Sequence, residues 1–179
     1  LKPAYNVQIA VENYFIIHGY VSNDRTDYNT LIPVVDKHIK AFGELLKELT
    51  ADSGYCSEKN LLYLKQNKIT SYIKLQDHEK RKTRGYTKDI SKYYNMTTQV
   101  FEDELYYICH DGRELRHIRT EEKEQDGYTQ TLEVYGCADC SGCEHKAKCL
   151  YKYNPDKEPD KNKVMKINEQ WEELKEESH

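Results

Sequence analysis

The sequence predicts an α/β fold, in which a mixed sheet with helices is followed by a β-hairpin segment that carries four closely spaced cysteines. Up to residue 76, segments with strand-like alternation and segments with helical spacing of apolar residues follow one another, which is typical of parallel strand pairing. From residue 99 onward, alternating segments are separated by turn sequences, which indicates hairpins. The cysteines follow directly after these hairpins.

The composition is that of one compact domain, or of one domain with a small appendage. The chain has 179 residues, of which 37% are apolar and 32% charged, and its 16 tyrosines supply much of the packing material. The net charge of -4 gives no overall basic field for holding DNA. No apolar stretch approaches the roughly 20 residues of a membrane span, and the first residues do not form a secretory signal. We therefore expect no membrane partner and a cytoplasmic location.

Two strands and a helix are predicted first. Apolar residues alternate from Tyr5 to Val11, which predicts a strand with one buried face. The β-branched and aromatic run from Tyr14 to Val21 predicts a second strand, paired antiparallel through a short hairpin. A helix is expected to follow, capped by Asp27 or Asn29 and ending at Gly43.

A strand, a helix and another strand complete the first region. The strand from Leu45 to Ala51 is expected to end in a sharp turn at Asp52 to Tyr55, where Gly54 lets the backbone change direction. Ser57 is expected to cap the next helix. A strand from Ile69 to Leu75 then completes the α/β pattern.

The later part of the chain divides into a loop, hairpins and a tail. The basic stretch after Asp77 has no sustained period and is expected to be an exposed loop. Strands are predicted over Gln99 to Cys109, Glu114 to Thr120 and Tyr128 to Tyr135, and an acidic helix from Asn168. The predicted regions are therefore 1–76, the α/β region; 77–98, the basic loop; 99–153, the hairpins with the cysteines; and 154–179, a linker and the start of a helix.

Asp52 is the first candidate site residue. An Asp at the carboxyl end of a parallel strand projects into the crevice where α/β sheets bind ligands. Phosphoryl transfer by two divalent ions, held about 4 Å apart, needs several such carboxylates. Alternatively, Asp52 shapes the turn or caps the following helix. One carboxylate alone does not decide between these interpretations.

Three segments carry a family resemblance, and they occur in order along the chain. They are Pro3-Ala4-Tyr5-Asn6-Val7-Gln8-Ile9-Ala10-Val11, Ser22-Asn23-Asp24-Arg25-Thr26-Asp27 and Thr50-Ala51-Asp52-Ser53-Gly54-Tyr55. Together they resemble landmarks of DDE-type insertion-sequence transposases, which have a ribonuclease H-like fold. The resemblance covers residues 1–76 well and reaches the cysteine segment more loosely. Ala4 stands where the family usually has Gly, and Glu12 where it usually has Asp.

The resemblance implies that Asp52 is the second of three catalytic carboxylates, which together hold Mg²⁺ or Mn²⁺. The first family Asp lies upstream of the tyrosine-asparagine landmark and the catalytic Glu lies downstream of a cysteine-rich insertion, and neither is in this chain. It further implies a partial ribonuclease H-like mixed sheet. We therefore expect an internal fragment, inactive alone, of an enzyme that cleaves transposon-end DNA and transfers the strand to target DNA. A homodimer is one possible state of the full-length protein.

The cysteines form the pattern C-x2-C-x2-C-x5-C, through Cys137, Cys140, Cys143 and Cys149. Four thiolates at this spacing predict a structural tetrahedral zinc site, with His145 as an alternative ligand. An iron–sulfur cluster and metal-free thiols are the other interpretations. The segment resembles the cysteine-rich insertion of the same transposase group. Cys56 and Cys109 are expected to be core residues.

A local run of basic residues could bind DNA phosphates. It consists of Lys80, Arg81, Lys82, Arg84 and Lys88. Such charges bind the DNA backbone without regard to sequence, although a basic run is often only solvated. The run supports a second functional hypothesis, a zinc-stabilised DNA-binding or assembly module without catalysis. A nuclease unrelated to transposition is a third.

Overall fold

The computed structural model describes residues 4–125 and 127–177, which divide into two compact units. The first unit comprises the described residues up to His78 together with the segment from Gln170 onward, and the second unit is Glu79–Glu169. Among the described residues, no helix has both the length and the apolar character needed to cross a membrane.

The helices and strands are numbered in chain order. The strands are β1 (Asn6–Glu12), β2 (Phe15–Ser22), β3 (Glu48–Ala51), β4 (Thr70–Ile73), β5 (Thr97–Phe101), β6 (Glu104–Ile108), β7 (Glu114–Gln125), β8 (Tyr128–Cys137) and β9 (Val164–Ile167). The α-helices are α1 (Leu31–Phe42), α2 (Glu58–Gln66), α3 (His78–Arg81), α4 (Arg84–Thr87), α5 (Lys146–Cys149) and α6 (Glu169–Glu177). Short 3₁₀ turns lie at Asp27–Asn29, Ser53–Tyr55 and Tyr93–Asn95.

Strand pairing in the first unit confirms the predicted hairpin and the predicted parallel pair. β1 and β2 pair antiparallel through a two-residue turn, in which Asn13 and Tyr14 adopt φ angles of 48° and 70°. β3 and β4 pair in parallel from Glu48 opposite Thr70 to Ala51 opposite Ile73. In the described chain these pairs form two separate two-stranded sheets, so one ribonuclease H-like sheet stays a prediction.

The ends of α1 and α2 test the predicted capping residues. α1 begins after Thr30, whose side chain makes no capping hydrogen bond, so the predicted cap by Asp27 or Asn29 is wrong. The helix ends as predicted at Gly43, where φ is 74°, a left-handed conformation that glycine adopts without strain. Ser57 caps α2 as predicted, because its hydroxyl accepts from the Asn60 N–H at 3.3 Å.

The core of the first unit is aliphatic. Its buried members are Leu31, Val35, Cys56, Leu61, Leu64, Ile69, Ile73, Leu75 and Leu174. Asn60 is fully buried among them, and its side-chain amide donates to the carbonyl oxygens of Tyr28 at 2.9 Å and Tyr55 at 2.8 Å. These two bonds attach the turn at Asp27–Asn29 and the turn at Ser53–Tyr55 to α2.

The second unit contains a five-stranded antiparallel sheet in the order β5-β6-β7-β8-β9. The single strand predicted over Gln99 to Cys109 is wrong, because a turn at Glu102 and Asp103 divides it into β5 and β6. β9 lies within the predicted tail, where no strand was expected. The buried residues of one core are Tyr107, Leu115, Tyr135, Cys137, Cys140, Met165 and Ile167.

Short helices occupy much of the stretch predicted as an exposed loop. α3 and α4 have four residues each, and a 3₁₀ turn follows at Tyr93–Asn95. The Thr83 hydroxyl caps α4 by accepting from the Tyr86 N–H at 3.3 Å. The stretch therefore has local order without a long helical period.

Candidate functional site

Asp52 follows β3 directly and begins the 3₁₀ turn Ser53–Tyr55. Its side chain is exposed, and its Oδ1 accepts from the Gly54 N–H at 2.6 Å. This contact is the turn-shaping role that one interpretation of the sequence predicted. The other carboxylate oxygen, Oδ2, makes no hydrogen bond to the residues that the structure describes, 4–125 and 127–177. The carboxylate can therefore cap the turn and still present an oxygen to solvent.

A network of polar side chains surrounds Asp27. The Asp27 Oδ1 accepts from the Asn6 amide at 2.8 Å and from the Gln8 amide at 2.9 Å. The Tyr55 hydroxyl donates to the Oε1 of Gln8, which is buried. The three segments that carry the family resemblance thus meet in space, because Asn6 and Gln8 belong to the first, Asp27 to the second and Tyr55 to the third.

Gly54 lies between the carboxylates of Asp27 and Asp52. A Cβ atom placed on Gly54 would lie 2.8 Å from the Asp27 Oδ2 and 2.9 Å from the Asp52 Oδ1. Burial, followed by the negative charges of Asp27 and Asp52, raises the pKa of the neighbouring Tyr55. The two acids therefore converge at one point, and only glycine leaves room for both.

These two carboxylates do not make a complete metal site. Among the residues that the structure describes, no three or more His, Cys, Asp or Glu side chains are arranged to hold a metal ion. Carboxylate oxygens are the ligands that Mg²⁺ and Mn²⁺ prefer, so the donor chemistry at Asp52 fits such an ion. A pair of ions would need further ligands.

The four predicted zinc ligands lie around the end of β8. Cys137 and Cys140 are buried, whereas Cys143 and Cys149 are half-buried. Burial and a hydrogen bond with Cys140 raise the pKa of Cys137 to about 11, and the Cys137 thiol also contacts the Asp139 carbonyl at 3.2 Å. Burial also raises the pKa of Cys149. The thiols lie near one another, but among the described residues they do not form a group of three or more side chains arranged to hold a metal ion.

Cys109 joins this cluster, although the sequence pattern assigned it to the core. It packs against the buried group that contains Cys137 and Cys140, and it lies within electrostatic range of Cys137 and Cys149. The position of Cys109 beside the cluster depends on the pairing of β6, β7 and β8, which the spacing of cysteines along the sequence does not show. Cys56, in contrast, is a buried core residue of the first unit, as predicted.

The basic run lies on α3, on α4 and next to them. Lys80, Lys82, Arg84 and Lys88 are exposed, and Arg81 is half-buried. Lys82 pairs with Glu79 at 3.4 Å. No ion pair is recorded for Lys80, Arg84 or Lys88 in the described part of the chain, so their charges face solvent. Tyr86 stacks on Tyr94 beside them, with ring centroids 4.3 Å apart.

Residues 108–179 match the family model described as a transposase DDE domain. This part of the chain is similar to the domain of DDE-type transposases. No curated protein and no solved structure gives a significant match to it. The match confirms the resemblance predicted from the sequence, yet it covers the opposite end of the chain from Tyr5–Tyr55, where the landmarks are clearest.

The matched region contains the turn after Cys109, the strands β7 to β9, all four predicted zinc ligands and α6. DDE transposase domains generally use divalent metal ions, and their partner is DNA. The four cysteines therefore lie within the matched segment. The match begins at residue 108 and includes neither Asp52 nor the basic run. The roles of those residues therefore stay predictions.

Proposed function

We propose that this chain forms part of the catalytic core of a DNA transposase, in which Asp52 supplies one carboxylate of a divalent-ion site. The observation that carries the proposal is the convergence of Asp27 and Asp52 at Gly54, inside the network formed by the three landmark segments. The transposase DDE match to residues 108–179 supports it. A ribonuclease H-like arrangement of β1 to β4 belongs to the same proposal.

The chemistry proposed for the complete enzyme is cleavage of a phosphodiester at the transposon end, followed by attack of the freed 3′ hydroxyl on target DNA. Mg²⁺ or Mn²⁺ bound at the carboxylates would stabilise charge on the attacking and leaving oxygens. Asp52 would provide oxygen ligands from the end of β3. The Asn6 and Gln8 amides would hold Asp27 in place, so that its negative charge stays beside Asp52. The chain alone is expected to be inactive, because one carboxylate cannot hold a pair of divalent ions.

Divalent-ion binding at Asp52 can be tested on the chain as it is. Mn²⁺ is paramagnetic and broadens the NMR signals of nearby amides, so titration should broaden the Gly54 and Tyr55 amides first. Asp52→Asn should remove most of this broadening. The control is Asp36→Asn, which changes an acid on α1 that accepts a hydrogen bond from Tyr63. Unchanged broadening in Asp52→Asn would exclude Asp52 as a ligand.

Catalysis can be tested once the chain is joined to flanking sequence that supplies the other two carboxylates. Asp52→Asn should then abolish DNA strand cleavage in Mg²⁺ and in Mn²⁺, and Asp36→Asn should retain it. Cleavage by the Asp52 variant at the rate of the parent enzyme would refute the proposed catalytic role.

We also propose that the basic run binds DNA phosphates. Each phosphate contact adds about 0.9 to the magnitude of the negative slope of log binding constant against log salt for duplex DNA. Lys80→Ala and Arg84→Ala should each reduce that slope by about this amount in fluorescence anisotropy titrations. Lys123→Ala, which changes an exposed lysine on β7, is the control. Equal effects of all three variants would show that the run has no special role.

The alternative function is a zinc-stabilised module that binds DNA or a partner protein without catalysis. One observation favours it: the cysteine cluster and the basic run both lie in the second unit, Glu79–Glu169. It predicts that Asp52→Asn has no effect on any activity of the longer protein, whereas zinc removal weakens DNA binding. The catalytic proposal predicts loss of cleavage with DNA binding retained.

A further inference from the structure

A pocket with an excess of positive charge lies in the second unit. Its volume is about 380 Å³, and the charged side chains that line it are Lys92, Lys148, Lys152, Lys163 and Asp89. Four ammonium groups against one carboxylate leave three positive charges in excess, although the whole chain has a net charge of -4. This lysine pocket is large enough for a group of the size of a nucleotide.

Lys163 is fixed at the lysine pocket with one hydrogen-bond donor unused. Its ammonium donates to the Ser91 carbonyl at 2.7 Å and to the Cys149 carbonyl at 3.1 Å. These are its two acceptors among the described residues, whereas an ammonium group has three N–H donors. The third N–H can therefore be donated to an anion. The same two bonds join the segment after α4 to α5, so the pocket is built from parts that are distant in sequence.

The other three lysines of the pocket are exposed and are not neutralised by acids. Lys92, Lys148 and Lys152 make no ion pair with any residue that the structure describes. The Asp89 carboxylate accepts from the Ser91 hydroxyl at 2.6 Å and from the Ser91 N–H at 2.9 Å, so it is engaged within its own turn. The three ammonium groups are therefore available to a phosphate, which accepts charge-assisted hydrogen bonds.

An exposed aromatic ring also lines the lysine pocket. Tyr151 and Lys152 form the tip of a turn that is closed by the Tyr153 N–H, which donates to the Leu150 carbonyl at 3.4 Å. Lys152 has a φ of 50°, a left-handed conformation that is strained for a residue other than glycine and that is often found at binding sites. Its ammonium lies 5.2 Å from the centroid of the Tyr151 ring, yet Tyr151 is 81% exposed. The ring can therefore stack on a flat ligand such as a nucleobase.

The lysine pocket is continuous with the basic run. The Asn95 side-chain amide donates to the Tyr86 carbonyl at 2.7 Å and to the Asp89 carbonyl at 3.0 Å. These bonds hold α4, which carries Arg84, against the segment that lines the pocket. The basic run offers charges alone, whereas the pocket combines charges with an open aromatic ring.

We propose that the lysine pocket binds an unpaired segment of DNA, with a phosphate held by the lysines and an adjacent base stacked on Tyr151. The inference rests on DNA as the partner in the proposed function and does not depend on catalysis at Asp52. Lysines bind the phosphates of duplex and single-stranded DNA alike. In a duplex, however, only the edges of the bases are accessible in the grooves, so the ring of Tyr151 can stack only on an unpaired base.

Tyrosine variants of the 179-residue chain test the stacking contact. Fluorescence anisotropy is measured with a labelled oligothymidine and with a labelled duplex of the same length. Tyr151→Ala should weaken oligothymidine binding by about 5- to 150-fold, the range for loss of one base stack, and should leave duplex binding unchanged. Tyr151→Phe should bind like the unchanged chain, because it keeps the ring. The control is Tyr14→Ala, which removes a fully exposed tyrosine of the first unit. An equal loss for both DNAs, or no loss for either, would overturn the proposal.

Lysine variants test the phosphate contact through its salt dependence. For single strands, each phosphate contact adds about 0.7 to the magnitude of the slope of log binding constant against log salt. Lys148→Ala and Lys152→Ala should each reduce that magnitude by about 0.7. The control is Lys161→Ala, because Lys161 is already paired with Glu158 at 2.7 Å. A reduction of the same size in the control would show an effect of net charge and overturn the pocket.

The variants of the basic run separate this inference from the proposed function. If Lys80→Ala and Arg84→Ala weaken binding while the pocket variants bind like the unchanged chain, the lysine pocket alone is refuted. If the unchanged chain binds neither DNA, DNA binding is refuted for the pocket and for the basic run together. Mn²⁺ binding at Asp52 is measured without DNA and does not depend on either result.

Discussion

The two units differ in how the polar side chains at their centres are hydrogen-bonded. In the first unit, the carboxylate of Asp27 and the side chains of Asn6, Gln8 and Tyr55 hydrogen-bond to one another. In the second unit, the buried thiols of Cys137 and Cys140 are weak donors and weak acceptors. The polar network around Asp27 is therefore held by hydrogen bonds between side chains, whereas the thiols are held mainly by burial. The first unit is preorganised by these hydrogen bonds, and metal binding in the second unit stays a proposal.

Removal of zinc should have the largest effect and should be confined to the second unit. Structural zinc sites contribute apparent binding free energies of about 10–16 kcal/mol in small domains, so chelation should open this unit. Hydrogen exchange should rise at Leu115 and Tyr135 and stay low at Leu61 and Leu64 of the first unit. Equal loss of protection in both units, or none in either, would remove the contrast.

Replacement of one buried leucine by alanine in each unit should sharpen the contrast between the units. Leu64 in the first unit and Leu115 in the second are both fully buried, at 0% exposure. With zinc bound, Leu64→Ala and Leu115→Ala should each cost about 2–5 kcal/mol of unfolding free energy. Without zinc, only Leu64→Ala should still have an effect, because the second unit is already open. Stability is measured by hydrogen exchange in each unit.

The controls for these truncations are exposed valines in the same units. Val21→Ala in the first unit and Val100→Ala in the second should each change stability by less than about 0.5 kcal/mol. A cost for Leu115→Ala that is unchanged by chelation would show that the second unit folds without metal.

The first unit was the more predictable of the two, because its elements are set by local patterns. The hairpin before Ser22, the end of α1 at Gly43 and the Ser57 cap each depend on a few neighbouring residues. The cap predicted at Asp27 is wrong for a physical reason. Its carboxylate is bound by Asn6 and Gln8, which are distant in sequence, and these partners take it away from the helix.

In the second unit, the sequence pattern missed features that depend on pairing between strands. The turn at Glu102 and Asp103 contains neither Gly nor Asn, and Asp103 alone is a weak turn signal, although both residues adopt positive φ. The sequence pattern did not predict β9, which is defined by its antiparallel pairing with β8. Spacing likewise found the four clustered cysteines but not Cys109, because its approach to them depends on the register of β6, β7 and β8.

Gly54→Ala should have a smaller effect than the leucine truncations. It should disturb the acidic network of the first unit, which is the set of polar side chains around Asp27 and Asp52. The new Cβ would lie 2.8 Å from an Asp27 oxygen and 2.9 Å from an Asp52 oxygen, so at least one carboxylate must move. Such overpacking costs about 1–3 kcal/mol. Urea unfolding measures the cost, and the Mn²⁺-induced broadening at Tyr55 should weaken in parallel.

The control for Gly54→Ala is Gly85→Ala on α4. A Cβ at Gly85 would meet nothing within 4 Å, and alanine is the better helix former by about 1 kcal/mol. This variant should therefore be neutral or slightly stabilising. A neutral Gly54→Ala would mean that the acidic network is loosely held, which would remove the preorganisation assigned to the first unit.

The smallest expected effect is a difference in tyrosine ionisation between the units. Burial, followed by a hydrogen bond to Asp36, raises the pKa of Tyr63 in the first unit from 10.0 to about 12. Burial, followed by the charge of Glu169, raises the pKa of Tyr135 in the second unit from 10.0 to about 12. A raised folded-state pKa contributes stability that is complete below pH 10 and is lost as the pH rises from 10 to 12.

Tyrosinate absorbance can follow both residues in the zinc-loaded and the chelated chain. Tyr63→Phe and Tyr135→Phe should each remove part of the late-titrating absorbance when zinc is bound. After chelation, Tyr135 should ionise at the ordinary tyrosine value, since its burial is lost, whereas Tyr63 should still ionise late. If Tyr135 keeps its raised pKa after chelation, the sheet around it folds without the ion, and the thiols of the second unit are a packed cluster instead of a metal site.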